Sequence, residues 1–120
     1  MARVALLGFP RDLAEPLSLA LSAESHSVER KFHLRDLRNG PMPHVVFVCG
    51  DALEALALVS ALRQLDPDLP VVVATRMPET KHWLDALEAG AADYCGAPFE
   101  PVQVRWVMNS VLREPGRLAA

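Results

Sequence analysis

His44-Val45-Val46-Phe47-Val48-Cys49, closed by Gly50, is the stretch from which the fold of this chain is read. Its residues are mostly β-branched or aromatic, which suits a strand buried on both faces of a parallel sheet. On its C-terminal side, Asp51 is placed to cap a helix running to about Leu65. Leu53, Leu56, Ser60 and Leu65 fall near its inner stripe, and Asp66-Pro67 ends it. Pro70 introduces a second central strand, Val71–Thr75. Met77-Pro78-Glu79 then opens a helix that closes at Ala89-Gly90. Ala92-Asp93-Tyr94-Cys95 is a short fifth strand, and a last helix runs from Pro98-Phe99-Glu100-Pro101 to about Arg113, ended by Glu114-Pro115-Gly116.

Toward the N-terminus, His33 to Asn39 can form one or two helical turns, stopped by Gly40-Pro41. Ser27 to Phe32 alternates and is polar, as an edge strand would be. Asp12 to Glu24 reads as a helix with Asp12 as N-cap. Leu13, Leu17, Ala20 and Leu21 lie at helical spacing, and Pro16 is tolerable only near the start. Arg3 to Leu7 is the first strand. Five strands and about five helices thus alternate, and right-handed crossovers make them an α/β, three-layer α/β/α sandwich. The expected five-stranded parallel sheet has the flavodoxin-like order 2-1-3-4-5, with the weak second strand at one edge. Residues 1–114 form the domain, and 115–120 a C-terminal tail or the start of a linker.

The chain's 120 residues suit one domain, and at 51% hydrophobic it can bury a conventional core. Twelve basic and fifteen acidic residues give a formal net charge of -3, which argues against a sequence-independent grip on nucleic acid. The apolar start, Val4 to Leu7, is too short for a signal peptide or a membrane span, so a cytoplasmic location is expected. Cys49 and Cys95 form no CxxC motif and are expected as free thiols. His26, His33, His44 and His82 show no ligand spacing, and neither Gly-x-Gly-x-x-Gly nor a P-loop lysine is present.

Four stretches carry a more specific signal: Pro43–Val48, Leu69–Thr75, Ala86–Tyr94 and Ala97-Pro98-Phe99-Glu100. In order and spacing they resemble response-regulator receiver domains of the chemotaxis-regulator-like kind, over the whole chain. In that family an acidic pair after the first strand holds Mg²⁺, and an Asp ending the third strand accepts a phosphoryl group. A Ser or Thr ends the fourth strand, and a Lys in the fifth pairs with the phosphate. Carboxylates suit a hard metal, and metal and Lys together neutralise the transferred group. The resemblance lays the acidic pair on Gly8 and Phe9, the acceptor on Cys49 and the Lys on Ala97. It retains the hydroxyl as Thr75 and the strand-five aromatic as Tyr94. The expectation is a degenerate pseudo-receiver with no Mg²⁺, no other cofactor and no catalytic residue.

Two rival readings attach to neighbouring residues. Asp51 could be a displaced phosphoryl acceptor, and Asp12 could stand in for a lost metal ligand, although both read first as helix caps. Cys49, at a strand end near a helix N-terminus, could be a thiol-based redox sensor, or a small buried hydrophobe. Enzymatic small-molecule chemistry finds no convergent acid, base or phosphate cradle.

On the last helix, Val104, Val107, Met108 and Val111 form the core stripe, and Trp106 falls nearly opposite with Val102 and Asn109 beside it. Trp83 on the preceding helix borders Tyr94 by resemblance. Trp83, Tyr94, Val102 and Trp106 are therefore expected to form an interface, because Trp and Tyr are enriched at binding hot spots. The expected function is a phosphorylation-independent signalling module in a bacterial two-component or phosphorelay system. It would bind a protein partner or dimerise through the face of the fourth helix, fifth strand and fifth helix.

Overall fold

The computed structural model describes residues 1–112. Its elements, in chain order, are β1 (Arg3–Leu7), α1 (Arg11–Ala23), β2 (Ser27–Lys31), a 3-10 turn (Leu34–Arg38) and β3 (Val45–Cys49). They continue with α2 (Ala55–Leu65), β4 (Val71–Thr75), α3 (Thr80–Ala89), β5 (Asp93–Gly96) and α4 (Pro101–Leu112). All five strands pair in parallel in the order β2-β1-β3-β4-β5, as expected. The helix count differs, with four α-helices and one 3-10 turn among the described residues. The expected end of the last helix at Arg113, its Glu114-Pro115-Gly116 terminator and the boundary between 1–114 and 115–120 lie outside the described residues.

β3 and β4 are buried at every position, which is why their sequences are continuous apolar runs rather than alternating ones. Alternate residues feed two cores. Val4, Leu6, Phe47, Cys49, Val72 and Cys95 pack against α1 and α4. Ala5, Leu7, Val46, Val48, Val71 and Val73 pack against the 3-10 turn, α2 and α3. Each fully buried Val, Leu or Phe contributes about 1.5–3 kcal/mol relative to exposure, so the two cores hold the sheet firmly. β2, paired only with β1, buries none of its residues fully, consistent with its polar sequence.

α1 and α4 bury the expected stripes: Leu13, Leu17, Ala20 and Leu21 on one, and Val104, Val107, Met108 and Val111 on the other. The helix after β3 departs from expectation. It starts at Ala55, with Glu54 as its N-cap residue, and its buried residues are Ala55, Val59 and Leu62. Leu53, Leu56 and Ser60, expected on the inner stripe, are exposed, and Leu65 is only half-buried. The cause is local: residues 51–54 form turns, and the carboxylate of Asp51 bonds to β4 rather than to the first helical N–H groups. The helix therefore begins about one turn later, which leaves Leu53 in the turn before it, and the buried stripe within it is Ala55, Val59 and Leu62.

Candidate functional site

Parallel strands bring their C-terminal ends to one edge of a sheet, and the loops that leave those ends meet there. Here the ends of β1, β3, β4 and β5 contribute Gly8 and Phe9, Cys49, Thr75 and Ala97. Gly8 lies just past β1 with φ +73°, a region that a Cβ disfavours, and its N–H donates to the Lys31 carbonyl at 2.9 Å. Phe9 is buried in the α1–α4 core, and its carbonyl accepts from Arg30 Nη2 at 2.7 Å. Ala97 packs half-buried against the same core, with its N–H bonded to the Thr75 carbonyl at 2.8 Å. None of the five positions carries a charged side chain.

Cys49 is buried, and burial pushes its thiol above the ordinary range. The backbone N–H groups of Asp51 and Ala52 and the Arg76 charge offset this only in part, while the Asp51 charge adds to it. A thiol held in its neutral form is a poor nucleophile, the reverse of what a redox sensor needs. Cys95 is buried too, and its thiol is pushed up to about 12 by desolvation. Both cysteines are free, as expected.

The polar groups at this edge belong to a set not anticipated as a unit. Thr75 is buried, and its hydroxyl donates to Asp51 Oδ1 at 2.5 Å. Arg76 donates to the same carboxylate from its backbone N–H at 3.3 Å and from Nη1 to Oδ2 at 2.9 Å. Its Nη2 donates to Asp12 Oδ2, so one guanidinium joins the start of α1 to the turn after β3. The Arg76 hydrogen bond holds the Asp12 carboxyl below the usual carboxylate range, helped by the guanidinium charge and the backbone N–H groups of Asp12 and Leu13. The same bond raises Arg76.

Neither aspartate is an N-cap. Pro10 precedes α1 and Glu54 precedes α2, while Asp12 lies within the first turn of α1 and faces Arg76. Both carboxylates have stronger donors than a helix terminus offers, because a charged guanidinium outcompetes a neutral amide. Arg76 was missed by sequence reasoning. Its signal was a lone cation directly after a buried strand, with two aspartates at the loops that the same topology brings beside it.

Gly50 makes this closeness possible. A Cβ there would sit 2.8 Å from Val73 Cγ1 and 3.2 Å from Thr75 Cβ, and the Gly50 N–H donates to the Ala74 carbonyl at 2.8 Å. Of the histidines, His26 and His44 accept from the backbone N–H groups of Ala2 and Arg3 at 3.1 and 2.9 Å, so they hold the start of β1. Among the described residues no three His, Cys, Asp or Glu side chains gather as a metal cage, and no helix is long and apolar enough to cross a membrane.

The expected interface residues lie on a second region, the outer face of α3, β5 and α4. Trp106 is 72% exposed, Val102 66% and Trp83 44%. Tyr94 is half-buried, and its hydroxyl accepts from the Glu79 N–H at 3.4 Å. A concavity of about 390 Å³ lined by Pro78, Tyr94, Ala97 and Gln103 adjoins one of about 410 Å³ at Val102 and Trp106. Gln103 Oε1 is buried there with no hydrogen-bond partner among the described residues.

No family model matches the chain. It is 30% identical over 116 residues to the response regulator MprA of Mycobacterium sp. (strain KMS), a match covering 92% of this chain and 50% of that protein. It is 32% identical over 81 residues to the transcriptional regulatory protein PrrA of Mycobacterium tuberculosis, covering 68% of this chain and 35% of that one. The chain therefore spans half or less of the length of these curated relatives. A response regulator receiver domain protein from Clostridium thermocellum superposes with a TM-score of 0.83 at 13% identity, covering 100% of each chain, which shows the fold. Four stretches in register, the strand order and these relatives agree that the chain belongs to the response-regulator receiver domains.

Proposed function

We propose that this receiver domain works without phosphate or Mg²⁺, as a non-enzymatic module that acts through protein contacts in a bacterial two-component-type system. The observation that carries the reading is the content of its sheet edge. Gly8 has no side chain, Phe9 is buried and Ala97 carries no charge, so the donors that would hold a divalent cation or a phosphoryl group are missing. The carboxylates that do reach this edge, Asp12 and Asp51, are bonded to Arg76. That donor set does not fit Mg²⁺. Asp51 as a displaced acceptor is disfavoured for the same reason, since both its oxygens already accept hydrogen bonds. Cys49 as a sensor is disfavoured by its burial and raised pKa.

The action would pass through Trp83, Tyr94, Val102 and Trp106; the last three line concavities with Gln103, whose carbonyl has no partner among the described residues. The occupant is a protein partner or a second copy of the chain. The acidic balance of the sequence favours neither nucleic acid nor an anionic membrane, and a cytoplasmic location fits this role.

Incubation with acetyl phosphate and Mg²⁺, read by intact mass, is expected to leave the protein unmodified. A phosphoryl adduct on Asp51 or Cys49 would overturn the phosphate-free reading. Light scattering and partner capture with Trp106→Ala test the surface: unchanged assembly and unchanged binding would remove its support.

A further inference from the structure

We infer that Arg76 is a built-in cation, which occupies with its own guanidinium the electrostatic position that a metal ion would need and thereby fixes the Thr75 hydroxyl without any ligand. This deepens the phosphate-free reading and rests on it. Three segments that are far apart in sequence are involved: the first turn of α1, the turn after β3 and the end of β4. Arg76 Nη2 takes Asp12, Nη1 takes Asp51 Oδ2, and the Arg76 backbone N–H takes Asp51 Oδ1. The remaining bond to that oxygen comes from Thr75, at 2.5 Å.

Each partner constrains the next. Two carboxylates brought to one edge repel unless a cation lies between them, and a planar guanidinium with donors on two sides can serve both at once. Arg76 is tethered to β4 by its backbone, so its local concentration at the two carboxylates is high. A dissolved divalent ion would have to displace it. With Asp51 so oriented, Thr75 has a charged acceptor within reach and its side chain keeps one rotamer. The Met77 N–H in turn reaches Thr75 Oγ1 at 3.4 Å, which carries the constraint into the segment that leads to α3. Gly50 allows the turn after β3 to lie close enough for this, since a Cβ at that position would come within 2.8 Å of Val73 Cγ1.

The cation is covalently part of the chain, and removing it leaves a vacancy for a diffusible one. The test uses the whole 120-residue chain, isotope-labelled, with Mn²⁺ as a paramagnetic probe. In wild type, the amide signals of Asp12, Asp51 and Arg76 are expected to resist Mn²⁺. In Arg76→Gln, the Asp12 and Asp51 signals should broaden at roughly fivefold lower Mn²⁺, the factor set by one surface ion pair of ordinary strength. The Thr75 χ1 couplings should report one rotamer in wild type and an average in Asp51→Ala.

Equal Mn²⁺ sensitivity of wild type and Arg76→Gln would overturn the built-in cation, as would rotamer averaging of Thr75 in wild type. The outcome is separable from that of the acetyl phosphate experiment. A phosphoryl adduct on wild type sinks the phosphate-free reading, whereas Mn²⁺ broadening of wild type equal to that of Arg76→Gln, without an adduct, sinks only the role given to Arg76.

Discussion

The end of the sheet and the outer face of α3, β5 and α4 lie within one small domain, yet they satisfy their side chains in opposite ways. At the end of the sheet, exposed charges are closed on one another over a buried hydroxyl: Asp12, Asp51, Thr75 and Arg76 bond within the set. On the outer face, large apolar groups stand in solvent and the Gln103 carbonyl is unpaired among the described residues. A closed polar set has little left to offer a ligand, because each added contact must first break one that exists. An open apolar face has the reverse property. The contrast is what favours the outer face over the sheet edge as the surface for the proposed protein contacts.

The comparison can be broken most forcefully at Gly50. Gly50→Val puts a branched side chain against Val73 and Thr75, and overpacking of this kind costs about 1–3 kcal/mol. A urea melt should show that loss, and the Thr75 and Arg76 signals should shift together. A midpoint equal to wild type would mean that the turn after β3 has room to move and that the closeness of the polar set is not enforced.

A smaller effect is expected from Thr75→Val, which keeps the shape and removes the hydroxyl. The lost bond to Asp51 should cost about 1 kcal/mol, since Asp51 keeps its Arg76 partner. A stability gain in the same denaturation experiment would show that the hydroxyl is strained rather than supported.

Acid sharpens the contrast from another side. The Asp12 carboxyl is held below its ordinary value of 3.8 by Arg76, so the folded state binds this proton less readily than the unfolded chain does. Its contribution is therefore fully present above the ordinary value and lost as pH falls through the lower, folded one. The stability difference between wild type and Asp12→Asn should be flat near neutrality and close below pH 3.8. A difference that grew on acidification would reverse the assigned sign.

The least change in stability is expected on the open face. Trp106→Ala removes a side chain that is 72% exposed, and the unfolding free energy should stay within about 0.5 kcal/mol of wild type. A larger loss would show that Trp106 packs against its own chain, and the two regions would then differ less than their exposures indicate.

How much of this was legible in advance depended on the range of the interactions. The sheet was readable because β3 and β4 are buried on both faces and need unbroken apolar runs, a local pattern that Val45–Cys49 and Val71–Thr75 display openly. The stripes of α1 and α4 followed from helical periodicity, and the exposure of Trp106 followed from its place opposite Val104, Val107 and Met108. Asp12 and Asp51 were misassigned as caps for an equally physical reason. Beside the start of a helix, an aspartate has an obvious nearby use, and sequence carries no sign of a stronger donor elsewhere.

From residue types and their order alone came the strand sequence, the parallel sheet, the uncharged Gly8, Phe9, Cys49 and Ala97, and the surplus tryptophans. Those are properties of single positions and short periods. Folding alone decided that Arg76 would meet two aspartates, one 64 residues and the other 25 residues away along the chain, and that α2 would start at Ala55. Charge pairing acts through space, and the crossovers of a parallel sheet bring distant loops to one edge whatever their separation in sequence.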